Sequence, residues 1–298
     1  MAPDTEPPFG TMLTAMITPF DKDGHLDLDG VKRLANHLVD LGNEGLVVNG
    51  TTGESATTTD VEKEAVVRAT VEAVGDRAKV IAGVGTNDTA HSIHLAQAAA
   101  RAGADALLVV TPYYNKPTQA GLVAHFTAIA DSTELPVMTY DIPGRSGVPI
   151  TTDTFKRLAE HPRIVANKDA KGDLAEASQV LASTDLAWYC GEDILNLPLM
   201  SIGAVGFVSV VGHIAADRIA GMAAAFKAGD VDIATDMHLK LMPIYSAIML
   251  RMPGVMSVKA ALNLQGLPAG PVRLPLVDAD ATQTAQLRAE LEAAGIRL

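Results

Sequence analysis

Residues 105–140 read DALLVVTPYYNKPTQAGLVAHFTAIADSTELPVMTY and contain one strand–helix–strand unit. DALLVVT (105–111) and LPVMTY (135–140) are short and continuously apolar, which is typical of strands buried on both faces. Between these runs apolar residues recur at helical spacing, at Leu122, Val123, Phe126 and Ile129. This order predicts one repeat of a parallel α/β sheet.

The same alternation extends outward from this unit in both directions. Six further apolar runs are MLTAMIT (12–18), GLVVN (45–49), KVIAGVG (79–85), RIVANK (163–168), LAWYC (186–190) and AVGFVSV (204–210). Eight such strands separated by helices predict a closed (β/α)8 barrel, the TIM barrel, of roughly 200–250 residues. The alternative is an open doubly wound sheet, which is disfavoured because no GxGxxG turn follows the first strand.

The repeating pattern also suggests how the chain is divided. We predict a catalytic barrel over residues 9–228 and a small helical appendage over residues 229–298, with residues 1–8 as a loose tail. A helical stripe opens the appendage, with Ile233, Met237, Leu241, Ile244 and Ile248. The Gly- and Pro-rich residues 253–275 are expected to form a loop, and DADATQ (278–283) is expected to cap a last helix.

Composition argues against several classes of function. With 23 basic and 35 acidic side chains the formal charge is −12, which disfavours a nucleic-acid partner because phosphate contacts need clustered Lys and Arg. No apolar run approaches the ~20 residues of a membrane-spanning helix, so no membrane association is expected. The N-terminal sequence MAPDTEPPFG does not read as a secretory signal. The single cysteine, Cys190, fits a reducing cytoplasm and is expected to be a buried, inert thiol.

Polar and aromatic residues collect where the predicted strands end. Active sites of TIM barrels lie at the C-terminal ends of the strands, so these segments are the candidates for chemistry. They are GTTGE (50–54) after strand two, TPYYN (111–115) after strand four, YDIPGR (140–145) at strand five, Lys168 at strand six and GED (191–193) after strand seven.

Lys168 is the most informative of these residues. A lysine at a strand end often snorkels to solvent and does nothing chemical. A lysine that points into a barrel mouth is different, because desolvation lowers its pKa and frees a neutral amine to attack a carbonyl. Asp169 and Lys171 are close in sequence, but adjacent strand residues face opposite ways.

The neighbouring motifs supply what such an amine would need. Tyr140 is either a half-buried aromatic or a phenol that shuttles protons, which near neutrality requires a relay such as Thr51 and a second tyrosine. The 50–54 segment is either a plain turn or an anion-binding loop built from backbone N–H groups and hydroxyls. Arg145 is either a surface arginine or a bidentate clamp for a carboxylate.

Other chemistries find little support in the sequence. His91 and His94 have helical i, i+3 spacing, but no obvious set of carboxylate partners accompanies them, so no metal site is expected. Tyr113 and Tyr114 fit core packing or a subunit contact. No nucleophile elbow for Ser-His-Asp hydrolysis is present, and no motif for redox or phosphate chemistry is found.

Four motifs, in order and spacing, resemble the dihydrodipicolinate synthase family, which belongs to the superfamily that includes N-acetylneuraminate lyase. The resemblance covers the chain from Gly10 onward and is carried by 50–54, 111–114, 140–145 and 168–170. It implies condensation of pyruvate with aspartate semialdehyde on the way to diaminopimelate and lysine. It also implies a homotetramer of two tight dimers and catalysis without a cofactor or metal.

The resemblance implies a role for each matched residue. Lys168 would form the Schiff base, and Tyr140, Thr51 and Tyr114 would form the proton relay, with Tyr114 reaching into the neighbouring subunit's site. The substrate-binding positions would be Thr51 and Thr52 for the pyruvate carboxylate, Arg145 for the semialdehyde carboxylate, and Gly191 and Val208 for backbone lining the pocket.

Two departures from the family pattern are visible. Asn167 precedes the matched lysine where the family usually has an aliphatic side chain, and it needs a hydrogen-bond partner. Members inhibited by lysine carry histidines and a glutamate where this chain has Asp60, Lys63 and His91, although Ser55, Asn87 and Tyr113 are retained. We therefore expect weak or absent feedback by lysine.

Two rival functions remain open at this stage. A lyase that cleaves a 2-oxo sugar acid such as N-acetylneuraminate would share Lys168 and Tyr140. Arg145 favours the synthase, because a carboxylate clamp suits the short semialdehyde better than a polyol tail. A non-catalytic binding protein on the same scaffold is disfavoured because both the lysine and the tyrosine are present.

Overall fold

The computed structural model describes residues 7–298 and contains a closed barrel of eight strands. The strands pair in parallel in chain order, and the last pairs with the first, which closes the ring. They are β1 (Met12–Ala15), β2 (Gly45–Val48), β3 (Lys79–Gly83), β4 (Ala106–Val110), β5 (Val137–Asp141), β6 (Ile164–Asp169), β7 (Ala187–Cys190) and β8 (Gly206–Ser209). The predicted (β/α)8 TIM barrel is confirmed. Six strands lie within the predicted apolar runs, and β5 and β6 each extend one residue further, to Asp141 and Asp169.

Helices lie between and beyond the strands. They are α1 (Leu28–Asp40), α2 (Asp60–Val74), α3 (Thr89–Arg101), α4 (Gln119–Asp131), α5 (Pro143–Ser146), α6 (Thr152–Ala159), α7 (Leu174–Leu181), α8 (Asn196–Ser201), α9 (Gly212–Lys227), α10 (Val231–Met249), α11 (Gly254–Leu264) and α12 (Ala281–Ala293), with a 3₁₀ turn at Asp193–Leu195. At the N-terminus of α2, Thr59 and Glu62 form a reciprocal capping box that fixes where the helix begins. Within residues 7–298 no single helix has the length and apolar character to cross a membrane, although α10 and α11, bent by 102°, meet that test as a pair.

The strands of the barrel contribute side chains to two apolar cores. One lies inside the ring and consists mainly of Leu13, Val47, Ile81, Leu108, Met138, Tyr140, Ala166, Tyr189 and Val208. The larger core lies between the ring and the helices. Since successive strand residues alternate between these cores, the side chain at one position faces the barrel interior and the next faces the helices.

The C-terminal residues differ from expectation at one element. Residues 253–275 were expected to form a loop, but α11 occupies Gly254–Leu264. The prediction was wrong because Pro253 stands at the N-cap, where its missing N–H costs nothing, and Val255, Val258 and Leu262 form a buried stripe behind it. The expected capping box of the last helix is confirmed, with Asp280 and Gln283 satisfying each other's backbone N–H groups.

The predicted domain limits remain predictions. α10 packs against α9, so the barrel and the appendage predicted over residues 229–298 share one continuous apolar core. Of the tail predicted over residues 1–8, only Pro7 and Pro8 lie within the described part of the chain.

Candidate active site

Lys168 and Tyr140 face each other inside the barrel. They are register partners on the neighbouring strands β6 and β5. Each residue is 5% exposed, and Lys168 Nζ lies 4.2 Å from the centroid of the Tyr140 ring. The residues that follow them, Asp169 and Asp141, point the other way, as the strand alternation requires. Asp169 there accepts a hydrogen bond from Trp188 Nε1 at 3.1 Å.

Burial changes the acid–base chemistry of Lys168. Desolvation lowers the pKa of its amine to about 8, opposed mainly by the carboxylate of Asp193 and assisted by the positive charge of Arg145. With that pKa about one amine in ten is neutral at pH 7, against a negligible fraction for an exposed lysine. A neutral amine is the form that attacks a carbonyl carbon.

Asp193 is the buried carboxylate that acts on this amine, and sequence reasoning gave it no role. It accepts backbone hydrogen bonds from Val210 and Val211, each at 2.9 Å, and a further bond from the Ser209 hydroxyl. These contacts tie the end of β7 to the end of β8. The signal available in the sequence was the acidic pair that follows Gly191 at a strand end.

Gly191 leaves the space that the Lys168 side chain occupies. A Cβ added at this position would lie 2.8 Å from Lys168 Cε, 2.9 Å from Cγ and 3.1 Å from the Asp169 carbonyl oxygen. Real Cβ atoms essentially never approach this closely. Glycine is therefore required here by the packing of the lysine, and its backbone lies beside the lysine chain.

A cavity of about 350 Å³ opens at the C-terminal ends of the strands. Tyr140 forms part of its wall, and Lys168 lies against Tyr140. Other lining residues come from widely separated parts of the chain and include Thr51, Tyr113, Arg145, Arg273 and Leu276. A cavity of this volume falls within the range of small-molecule sites.

Two arginines line this cavity, and their guanidinium groups differ in what they contact. Arg273 uses its N–H groups on Glu62 and on the carbonyl oxygens of Gly24 and Thr57, at 2.6–3.0 Å. Arg145 is exposed and makes no ion pair of 4.0 Å or less with any of residues 7–298. Arg145 therefore has its donors available for an anion, whereas those of Arg273 are occupied.

The phenol of Tyr140 is a weak acid in this setting. Burial raises its pKa to about 12, while the nearby charge of Arg145 and a hydrogen bond with the Thr51 side chain oppose the rise. The structure thus brings Tyr140, Thr51, Arg145 and Lys168 together. With so high a pKa, Tyr140 transfers protons only when another group takes or supplies one in concert.

Three matched residues occupy different surroundings. Tyr114 is 89% exposed and has a left-handed backbone, with φ of 74°. Thr52 is half-buried and does not line the cavity, although it adjoins Thr51 in the same loop. Val208 is fully buried in the inner core beside Tyr189. Within this one chain, Tyr114 is not part of the cavity wall.

Asn167 has one partner in its buried position. The Thr139 hydroxyl donates to its Oδ1 at 2.8 Å, and the side chain faces the helices, away from Lys168. Its Nδ2 has no hydrogen-bond partner among residues 7–298. The polar residue before the lysine is thus half satisfied by its neighbour on β5.

The histidines considered for a metal have a carboxylate partner that the sequence did not reveal. Asp60 lies 3.0 Å from His91 Nε2 and 3.9 Å from His94 Nε2. These contacts link α2 to α3 at the surface. Within residues 7–298 one group of three potential cation ligands lies close together, on the turn before α1, at Asp21, Asp23 and His25.

The buried thiol agrees with expectation. Cys190 is 1% exposed at the end of β7, and burial raises its pKa well above the usual value. Its Sγ donates to the carbonyl oxygen of Glu192 at 3.0 Å. A thiol held protonated in this way is a poor nucleophile.

Comparison with known proteins gives a consistent result. The model of the dihydrodipicolinate synthetase family matches residues 8–294. A Streptomyces coelicolor relative named 4-hydroxy-tetrahydrodipicolinate synthase 2 is 63% identical over 300 residues, with 100% of both chains covered. A crystal structure of dihydrodipicolinate synthase from Bacillus anthracis has a TM-score of 0.93 at 44% identity, covering 96% of this chain and 98% of that one. The Acinetobacter baumannii enzyme complexed with pyruvate has a TM-score of 0.92 at 37% identity, covering 97% and 99%. The chain belongs to the dihydrodipicolinate synthetase family.

Proposed function

We propose that this chain is a carbon–carbon lyase that condenses pyruvate with L-aspartate 4-semialdehyde through a Schiff base on Lys168, in the biosynthesis of diaminopimelate and lysine. The observation that carries the proposal is the buried amine of Lys168, with a pKa of about 8, packed against Tyr140 at a 350 Å³ cavity. The names of full-length relatives at 54–63% identity support the same reaction.

The reaction begins when the neutral Lys168 amine attacks C2 of pyruvate. Loss of water from the carbinolamine leaves an iminium, whose nitrogen accepts electron density as a proton leaves C3. The resulting enamine attacks the aldehyde carbon, which forms the new C–C bond and a hydroxyl group. The amine of the semialdehyde then attacks C2, closes the ring and releases Lys168.

Proton transfers in these steps fall to Tyr140, with Thr51 as its hydrogen-bond partner. The hydroxyl must protonate the departing water and take protons back, so a relay is needed because its own pKa is about 12. Tyr114 of a neighbouring subunit would complete this relay. Its 89% exposure leaves the ring free to enter a second copy of the chain.

Substrate carboxylates are held at two places. Thr51 and Thr52, in the 50–54 loop, bind the pyruvate carboxylate through hydroxyl and backbone N–H groups. Arg145 binds the carboxylate of the semialdehyde, in keeping with its place on the cavity wall and with a guanidinium that forms no ion pair within residues 7–298. Gly191 and Val208 are not among the residues that line the cavity, and for them we propose only that their backbone lies near the bound pyruvate.

The assembly we propose is a homotetramer of two tight dimers in the reducing cytoplasm. The exposed Tyr113–Tyr114 pair, 39% and 89% accessible in a single chain, supports a tight dimer built around the cavity mouth. Sedimentation velocity at micromolar concentration measures the assembly directly, and a protein that sediments as a monomer would contradict it.

A lyase acting on a 2-oxo sugar acid is the second candidate, because it would use the same Lys168 and Tyr140. Arg145 favours the synthase, since a sugar tail offers hydroxyl groups where the semialdehyde offers a carboxylate. Incubation with pyruvate plus semialdehyde, and separately with N-acetylneuraminate, distinguishes the two reactions by their products.

Borohydride reduction in the presence of pyruvate tests the chemistry itself. We expect a pyruvate-derived adduct on Lys168, located by peptide mass analysis, and none in Lys168→Ala. An adduct on another lysine, or no adduct, would contradict the assignment of the site. Turnover with the semialdehyde then establishes the acceptor.

A further inference from the structure

The loop that carries Thr51 and Thr52 has a backbone that needs outside support. Asn49, which precedes this 50–54 loop, and Glu54, its last residue, are both non-glycine residues in the left-handed region, with φ of 57° and 56°. Such conformations persist only where surrounding contacts hold them.

Glu54 is held by a lysine from the C-terminal part of the chain. Its Oε1 lies 2.6 Å from Lys259 Nζ on α11, and both side chains are only 2% exposed. Lys259 also donates to the Pro271 carbonyl oxygen at 2.7 Å, and its Nζ lies 4.2 Å from the centroid of Phe20. Burying a carboxylate this deeply is costly unless an oppositely charged group lies beside it.

Arg273 holds the same loop from a second direction. Its backbone N–H donates to Glu54 Oε2 at 2.8 Å, so both oxygens of that carboxylate are engaged. Its guanidinium binds the Thr57 carbonyl oxygen at 3.0 Å and both oxygens of Glu62. The pairing holds the pKa of Glu62 near 2, well below its usual range.

The contacts of Arg273 reach the substrate cavity directly. Arg273 lines the cavity together with Pro275 and Leu276, which follow it in the chain. Its side chain therefore forms the wall while its polar groups point into the loop and α2. None of those groups is left over for a substrate, so the residue acts through what it holds.

We propose that Glu54, Lys259 and Arg273 form a positioning cluster that fixes the 50–54 loop in its pyruvate-binding conformation. The C-terminal residues are then a working part of the substrate site. This inference rests on the proposed function, since it assigns the loop to the pyruvate carboxylate. The cluster acts on pyruvate binding first, and the later chemistry at Lys168 is affected less.

The first test is Arg273→Lys, which keeps the charge and the backbone contact to Glu54 but loses the fork that grips Glu62 and Thr57. Borohydride trapping on Lys168 is followed over a range of pyruvate concentrations. We expect the half-saturating concentration to rise about tenfold and the maximal trapping rate to stay within about twofold. The matched control is Arg288→Lys, since Arg288 makes an exposed i, i+4 pair with Glu292 at 3.4 Å and should leave both values unchanged.

Thermal unfolding separates positioning from plain stability. A lower unfolding temperature with unchanged pyruvate saturation in Arg273→Lys would overturn the inference. If that variant does not fold, Glu62→Gln weakens the same contact between Glu62 and Arg273 more mildly. We then expect the half-saturating pyruvate concentration to rise about threefold. Absence of any adduct in the unaltered protein would instead overturn the proposed function, and this inference with it.

A pair of variants at the buried ion pair gives an independent result. Lys259→Met leaves Glu54 buried without its partner. The unfolding temperature should therefore fall, and the half-saturating pyruvate concentration should rise. Adding Glu54→Gln removes the unpaired charge and should restore stability, but not pyruvate binding, because the link from loop to α11 is still missing. Recovery of both properties in the double variant would show that only charge burial mattered.

Discussion

Gly191→Ala is expected to disable the lysine without removing it. The new Cβ would stand 2.8 Å from Lys168 Cε, about 0.6 Å short of the 3.4 Å at which ordinary contact begins. The buried Lys168 chain cannot swing into solvent, and the Asp169 carbonyl oxygen, 3.1 Å from the new atom, is backbone that blocks escape on the other side. The amine must therefore shift by a sizeable fraction of an ångström.

A displacement of that size should slow Schiff-base formation about 10²-fold, because misplacing a reacting group by roughly 1 Å can lower a catalysed rate by about that factor. Overpacking should also lower the free energy of unfolding by about 1–3 kcal/mol. Borohydride added at a series of times at saturating pyruvate gives the rate of Schiff-base formation, and denaturant unfolding gives the free energy of unfolding.

The matched control is Gly121→Ala on α4, where the nearest atom to an added Cβ is Pro117 Cβ at 3.3 Å. It should leave trapping unchanged. Neither glycine has a positive φ, so the comparison isolates the space around Lys168 from backbone strain. A Gly191→Ala protein that forms the adduct at the normal rate would refute the reasoning, because Lys168 would then not need the space that the glycine leaves.

Three further outcomes are expected. The rate of adduct formation should rise with pH up to about 8 and then level, because only the neutral Lys168 amine attacks. In Arg145→Met this rise should move to higher pH, since a positive charge that lowers the pKa of Lys168 is gone. An unchanged pH profile in that variant would contradict this expectation. Mixed and reassociated subunits of Tyr114→Phe and Lys168→Ala should regain part of the activity that each lacks, because one intact site forms between them; no recovery would place Tyr114 outside the partner's site. Sub-millimolar L-lysine should leave steady-state rates unchanged, because Asp60 and His91, which pair with each other at 3.0 Å, stand where family members inhibited by lysine carry other residues. Half-maximal inhibition by sub-millimolar L-lysine would contradict this expectation.

Strand positions could be predicted well because buried parallel strands leave a local signal. The run before Lys168 is apolar from Ile164 to Ala166 and is broken only by Asn167, and its neighbour on β5 is equally clear. α11 was missed because glycine and proline near residues 253–270 outweighed a weaker apolar stripe. There the stripe was buried by tertiary packing, which propensity does not report.

The site was only partly predictable for a related reason. Lys168, Tyr140 and Arg145 could be found because each stands at or just after a strand end, where the barrel rule directs attention. The contacts of Glu54 with Lys259 and Arg273 join residues about two hundred positions apart. No local pattern encodes such a pairing, because it exists only once the barrel and α11 are packed together.

The closure of β1 onto β8 affects how the chain folds as it leaves the ribosome. Met12 pairs with Phe207, so the first strand to be made waits for the last of the eight. Until β8 emerges, the growing sheet has two open edges whose unpaired N–H and C=O groups can bind another nascent chain. Such non-local pairing is also slow to form. Chaperone protection during synthesis therefore matters most in the interval before residues 206–209 appear.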